Sequence, residues 1–99
     1  MLDITQLENG DIALTGRFDA SQTEKVKAML EDLDADIRLE LSGMEYISSA
    51  GLGVLIGAHS RLDKEGKSLT LLHPSKHAMT IFRLSHLDRV LHIVEAQEP

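Results

Sequence analysis

The sequence predicts an α/β domain: a mixed, mostly parallel sheet of about five strands, with an N-terminal hairpin and three to four helices. Three observations carry this expectation. Short runs with alternating apolar residues, such as Ile12/Leu14 and Ile37/Leu39/Leu41, are interleaved with longer stretches whose apolar residues recur every three or four positions. After an initial pair of strands the two kinds of segment alternate, the order that lays helices across parallel strands. A chain of 99 residues makes one domain, residues 1–99; such a domain buries roughly 60–68% of its unfolded surface, enough for one core.

Leu2, Ile4 and, after a break, Leu7 suggest an edge strand, followed by a turn at Asn9-Gly10. Ile12, Leu14 and Phe18 continue an alternating pattern, so the first two strands pair as a hairpin. Asp19 or Ser21 is placed to cap the first helix, with Gln22 or Glu24 three residues on in capping-box spacing. Val26, Met29, Leu30 and Leu33 then form its apolar stripe. The third strand is Ile37 to Leu41. Ser48 and Ser49 open a second helix with Leu52, Leu55, Ile56 and Leu62 on one face and Gly66 as its stop. Ser68–Leu72 is a strand ending at His73-Pro74, Ser75 caps a third helix carrying Met79, Ile81 and Phe82, and Val90–Val94 is a last short strand.

Composition excludes several classes of function. Sixteen acidic against ten basic residues give a formal charge of −6, which repels phosphate backbones and argues against nucleic-acid binding. With no Trp, one Tyr and two Phe there is no stacking platform for single strands. The absence of cysteine removes disulfides, thiolate metal sites and thiol nucleophiles. Met1-Leu2-Asp3-Ile4 lacks the features of a signal peptide. The longest apolar stretch, Ala50–Ala58, falls far short of the ~20 residues that span a bilayer. These point to a cytoplasmic protein with no direct membrane insertion.

The most informative segment is Met44 to Leu55, between a predicted strand and a predicted helix. Loops at the carboxyl ends of strands are where α/β folds bind ligands and partners. Two serines followed by Ala50-Gly51-Leu52-Gly53 start a helix with little side-chain bulk. Each of the glycines costs about 1 kcal/mol of helix stability relative to Ala, so close backbone approach or access for a partner has to compensate.

Over essentially its whole length the chain resembles a STAS domain, the family of anti-sigma factor antagonists. Gly16-Arg17-Phe18-Asp19 resembles the family's Gly-x-Leu/Phe-Asp segment before the first helix. Leu39-Glu40-Leu41-Ser42-Gly43-Met44 resembles its central strand and following turn. Tyr46 to Gly53 resembles its phosphorylation loop, usually Asp-Ser-Ser/Thr-Gly-Leu, with Ser48 in place of the Asp and Ala50 in place of the second Ser/Thr. Aligned on Gly51-Leu52, the phosphorylated serine falls on Ser49, with Ser48 the second choice. The resemblance implies a partner-switching phosphoprotein with no catalysis and no cofactor of its own. Its partners would be an anti-sigma factor/serine kinase of histidine-kinase-like ATPase fold and a metal-dependent serine phosphatase. The partner-binding residues would be Asp19, Ser48, Ser49, Ala50, Gly51 and Leu52, and the output transcriptional.

Elementary electrostatics supports such a switch. A phosphate adds about −1.5 to −2 charges and three acceptor oxygens, which a helix N-terminus tolerates. The fold should therefore survive modification, while a partner docked on the loop would have to bury an unpaired dianion.

Four other assignments fit the sequence less well. A constitutive STAS subunit of a larger complex, such as a transporter accessory, shares the fold without the switch. A serine hydrolase would need Gly-x-Ser-x-Gly, and Ile47 stands where the first Gly belongs. His59, His73, His77, His86 and His92 show no zinc-site spacing: His73 and His77 are four apart, but Pro74 lies between them. His59 is expected to pack on the apolar face with one ring nitrogen hydrogen-bonded. Gly51, Gly53 and Gly57 miss the dinucleotide-binding spacing by one residue. The acidic run Glu31 to Asp36 is expected to be solvated.

Overall fold

The computed structural model describes residues 1–95. Its strands are β1 (Leu2–Gln6), β2 (Ile12–Phe18), β3 (Ile37–Glu40), β4 (Met44–Ile47), β5 (Leu69–Leu72) and β6 (His92–Val94); its helices are α1 (Thr23–Glu31), α2 (Ser49–Lys64) and α3 (Lys76–Leu84). The sheet runs β1-β2-β3-β5-β6, with β4 also paired to β2. Only the β1–β2 pair is antiparallel. The mixed, mostly parallel α/β sheet expected from the alternation is therefore present, with one strand more than the alternation gave.

That additional strand, β4, occupies the segment taken as the lead-in to the phosphorylation loop. It exists because β2 is longer than its partner β3. Ile12 and Ala13 pair with Leu39 and Glu40, and the remainder of that edge, Gly16 to Phe18, pairs with Met44, Tyr46 and Ile47. The register shifts between Gly16 and Arg17, leaving Glu45 as the extra residue of a β-bulge. Gly16 is required there: its φ is +106°, and a Cβ would collide with the Met1 carbonyl oxygen.

Burial alternates along the strands, as in a sheet with one face packed and one open. Leu2, Ile12, Leu14, Ile37, Leu39, Leu69 and Leu71 point into the core, where they meet Val26, Leu30, Leu55, Ala58, Leu62 and Phe82 from the helices. Asp3, Thr5, Thr15, Arg17 and Arg38 are exposed.

Several local details differ from the sequence expectation. The hairpin loop is five residues long, because Gln6 pairs with Ile12, so Leu7 lies outside the strand. Within it Gly10 adopts φ +92°, and the Asn9 side chain donates to the Asp11 carboxylate at 3.1 Å and accepts the Asp11 N–H at 3.0 Å. Asp19 caps a short 3₁₀ turn, Ala20–Gln22, rather than α1 itself, and Gln22, which precedes α1, makes no side-chain cap. β6 begins at His92 because residues 87–89 form another 3₁₀ turn.

Gly66 terminates α2 as expected, at φ +76°. The N–H of Lys67 donates to the Leu62 carbonyl at 2.8 Å and that of Gly66 to Asp63 at 3.2 Å, the paired bonds of a Schellman motif. Arg61 of α2 donates to the Leu30 carbonyl at 2.8 Å, placing a cation on the exposed carbonyls at the end of α1. Part of the acidic run is tied down: Asp34 pairs with Lys67, and Asp36 accepts the Ser68 N–H at 2.9 Å.

Candidate functional site

The site lies at the carboxyl ends of β2 and β4, which run parallel and are held in register by one further bond, from the Ser48 N–H to the Phe18 carbonyl at 2.9 Å. Ser48 is the N-cap of α2. Its backbone is extended (φ −84°, ψ 167°), and its Oγ accepts the Gly51 N–H at 3.1 Å while its carbonyl accepts from Leu52 at 2.9 Å. These are the bonds an N-cap serine makes.

Ser49 is the first residue of the helix and is exposed. Among the described residues its hydroxyl has no hydrogen-bond partner. The N–H groups of Ser49 and Ala50 belong to the unpaired donors of the helix start. The sequence places both serines at the helix start; the backbone gives the cap to Ser48 and leaves the Ser49 hydroxyl without a hydrogen-bond partner among the described residues.

Gly51 is buried, and its lack of a side chain has a geometric cause. A Cβ there would stand 2.9 Å from the Ile47 side chain and 3.2 Å from both the Phe18 ring and its carbonyl oxygen. The first turn of α2 thus rests directly on the ends of β2 and β4. Gly53 and Gly57 have no such reason, since a Cβ at either meets nothing within 4 Å. With Ala50, Val54 and Ala58 they line a groove of about 450 Å³ between α1 and α2, whose other wall includes Thr23 and Lys27. Leu52 is half-buried and packs against the core.

Asp19 sits beside this helix start on the chain leaving β2. Its carboxylate accepts the Ser21 hydroxyl at 2.6 Å and the Ser21 N–H at 3.1 Å. The Ser21 hydroxyl bond is the main reason its carboxyl is held below the usual value, with a contribution from the charge of Arg17. Its acceptor capacity is therefore partly committed to the turn it caps.

Two residues of this end went unassigned from sequence, Arg17 and Tyr46. They face each other across the β2–β4 pair, and the Arg17 guanidinium lies 4.5 Å from the centre of the Tyr46 ring. The ring also neighbours His77 of α3, centroids 6.5 Å apart. No sequence signal marked either, since their pairing depends on β4 and its bulge rather than on local periodicity.

The histidines fall elsewhere in chemical terms. His73, in a left-handed backbone conformation (φ +51°), binds Glu40 at 2.6 Å. His59 packs edge-on to His92, centroids 5.6 Å apart, in place of the ring hydrogen bond expected for it. Neither Ser48 nor Ser49 has a histidine partner among the described residues. No group of three or more His, Cys, Asp or Glu among them is arranged to hold a metal ion. No described helix is long and apolar enough to cross a membrane.

Comparison with known proteins agrees with this geometry. The anti-sigma-B factor antagonist of Bacillus subtilis (strain 168) is 29% identical over 101 residues, covering 98% of this chain and 93% of that protein. An anti-sigma factor antagonist from Mycobacterium paratuberculosis superimposes with a TM-score of 0.76 at 17% identity, covering 97% of this chain and 86% of that one. The Bacillus cell fate determinant SpoIIAA in its phosphorylated form superimposes with a TM-score of 0.70 at 18% identity, covering 99% and 93%. The family model described as Mlab, STAS domain matches residues 3–95, and the chain accordingly belongs to the STAS domain family.

Proposed function

We propose that this protein is an anti-sigma factor antagonist whose binding to its partner is switched by phosphorylation of Ser49. The observation that carries the proposal is the division of labour between the two serines. Ser48 spends its hydroxyl on the Gly51 N–H, while Ser49 offers an exposed, unengaged hydroxyl at a helix start able to tolerate a phosphate. The name of the Bacillus subtilis relative and the phosphorylated state of the SpoIIAA structure support the same assignment.

In this scheme the unmodified chain docks its β4–α2 corner on an anti-sigma factor with an ATP-binding, histidine-kinase-like fold. The Ser49 oxygen attacks the γ-phosphorus of ATP held by that partner, ADP departs, and the hydroxyl proton passes to a base of the partner. The product carries a dianion at the contact. Leaving such a charge buried without a counter-ion costs several kcal/mol, whereas a tenfold loss of affinity needs only about 1.4 kcal/mol. A metal-dependent serine phosphatase resets the switch by hydrolysis. The chain supplies the substrate hydroxyl and performs no catalysis. Asp19, Ala50 and Leu52 belong to the docking face, which continues into the α1–α2 groove past Gly53 and Gly57.

The test is intact-mass analysis of protein purified from its host, with fragmentation across Met44 to Leu62, followed by affinity capture with Ser49→Ala. Phosphate on Ser49, and an ATP-binding protein retained by Ser49→Ala but lost by Ser49→Asp, is the expected result. Phosphate on Ser48 corrects the site. Absence of phosphate under all growth conditions favours a constitutive binding subunit instead.

A further inference from the structure

Of the five arginines, Arg38, Arg61 and Arg83 each pair with a carboxylate. Among the described residues Arg17 and Arg89 do not, and of these two Arg17 lies over an aromatic ring, that of Tyr46. The β-bulge at Glu45 and the positive φ of Gly16 set its position, and bulges beside functional sites commonly re-aim a side chain. His77, exposed at the start of α3, neighbours the same Tyr46 ring, centroids 6.5 Å apart.

Arg17 stands one strand over from the segment that leads into the modified serine. It pairs in register with Tyr46, neighbouring strands are about 4.8 Å apart, and the three residues from Tyr46 to Ser49 span at most about 10 Å. The charge of Arg17 already reaches the Asp19 carboxyl on the same loop. A cation resting on an aromatic face near the surface is held more weakly than one in a bidentate, charge-assisted bond to a phosphate dianion. The resting contact is therefore weak enough to be exchanged.

We infer that Arg17 is the phosphate-binding arm of the switch: it rests on Tyr46 while Ser49 is free and turns to bind the phosphoryl group once Ser49 is modified. The inference rests on Ser49 as the modified residue and adds how the chain itself reads the phosphate. Capture by Arg17 holds the phosphoryl group at the surface and takes the guanidinium off the Tyr46 ring, so the switch adds a change of shape to the change of charge.

The chain reports on this motion without a label, because it contains one Tyr and no Trp. Phosphoserine is installed at position 49 during synthesis of the full chain, and the ³¹P shift is followed against pH together with tyrosine emission. The expected result is a second phosphate pKa lower by about one unit with Arg17 than in Arg17→Gln, as a close opposite charge produces. Arg17→Lys should fall between them. Tyrosine emission should change on phosphorylation in the native chain and stay constant in Arg17→Gln, with circular dichroism verifying that both variants are folded. Equal phosphate pKa values in the native and Arg17→Gln proteins overturn the inference, as does an emission change that survives Arg17→Gln. Because the phosphoserine is installed directly, a failure of Ser49 to be phosphorylated in the host is a separate result and does not decide this one.

Discussion

The Ser48 hydroxyl accepts the Gly51 N–H at 3.1 Å, so two adjacent serines with identical chemistry hold different positions at one helix start. Replacing Ser48 by Ala should destabilise the protein by about 1 kcal/mol, whereas Ser48→Asp should preserve the cap and most of the stability. For a chain of this size that loss lowers the thermal midpoint by about 4–8 °C. Ser49→Ala, which breaks no bond, should leave the midpoint within about 2 °C of the native value on the scale of ordinary surface substitutions. Thermal denaturation of the three variants decides the assignment, and a larger loss in Ser49→Ala than in Ser48→Ala would reverse it.

The glycines of α2 should respond in opposite directions. Gly51→Ala places a methyl group 2.9 Å from Ile47 and 3.2 Å from the Phe18 backbone, an overpacking expected to cost about 1–3 kcal/mol. Gly53→Ala and Gly57→Ala meet open space and should each stabilise by roughly 0.5–1 kcal/mol. If the groove receives the partner, the same two changes weaken its binding at least several-fold. Chemical denaturation and titration calorimetry on one set of proteins read both effects.

Arg61→Ala removes the cation that caps α1 from α2 through the Leu30 carbonyl. The expected loss is about 1–2 kcal/mol, the range for a partly exposed bond from a charged donor. It should appear as faster amide exchange in the last turn of α1.

The pH profile should carry the signature of Glu40. Burial raises its pKa, but bonds from Ser42 and His73 outweigh that effect and set the folded value below 4.5. A carboxyl lowered in the folded state binds its proton more readily when unfolded, so its contribution is complete above pH 4.5 and is lost as pH falls through the folded value. Glu40→Gln should therefore be less stable near neutrality and lose less on acidification, measured as thermal midpoints across that interval.

The apolar pattern made most of the architecture legible. The stripe Val26/Leu30, the alternation Ile37/Leu39 and the Gly66 stop all act within a few residues of themselves. β4 was not legible because Met44-Glu45-Tyr46-Ile47 is a strand only through the unused length of β2, which local periodicity does not encode. The same applies to Asp34 and Asp36, whose partners Lys67 and Ser68 lie more than thirty residues away. At the site, the Gly51-Leu52 motif located the helix start and put the phosphorylation expectation on Ser49, while which serine caps the helix is visible only in the extended backbone of Ser48. Arg17 gave no signal, since its importance depends on the bulge that turns it toward Tyr46.

The loop joining β1 to β2 lies at the opposite end of the sheet from Ser49, because β2 begins there and runs its full length to Phe18. Its tip, Gly10, is exposed and has open space around it. An affinity tag or fluorescent label inserted between Asn9 and Gly10 would stand clear of the Ser49 end, making the hairpin the natural point of attachment for following the protein in living cells.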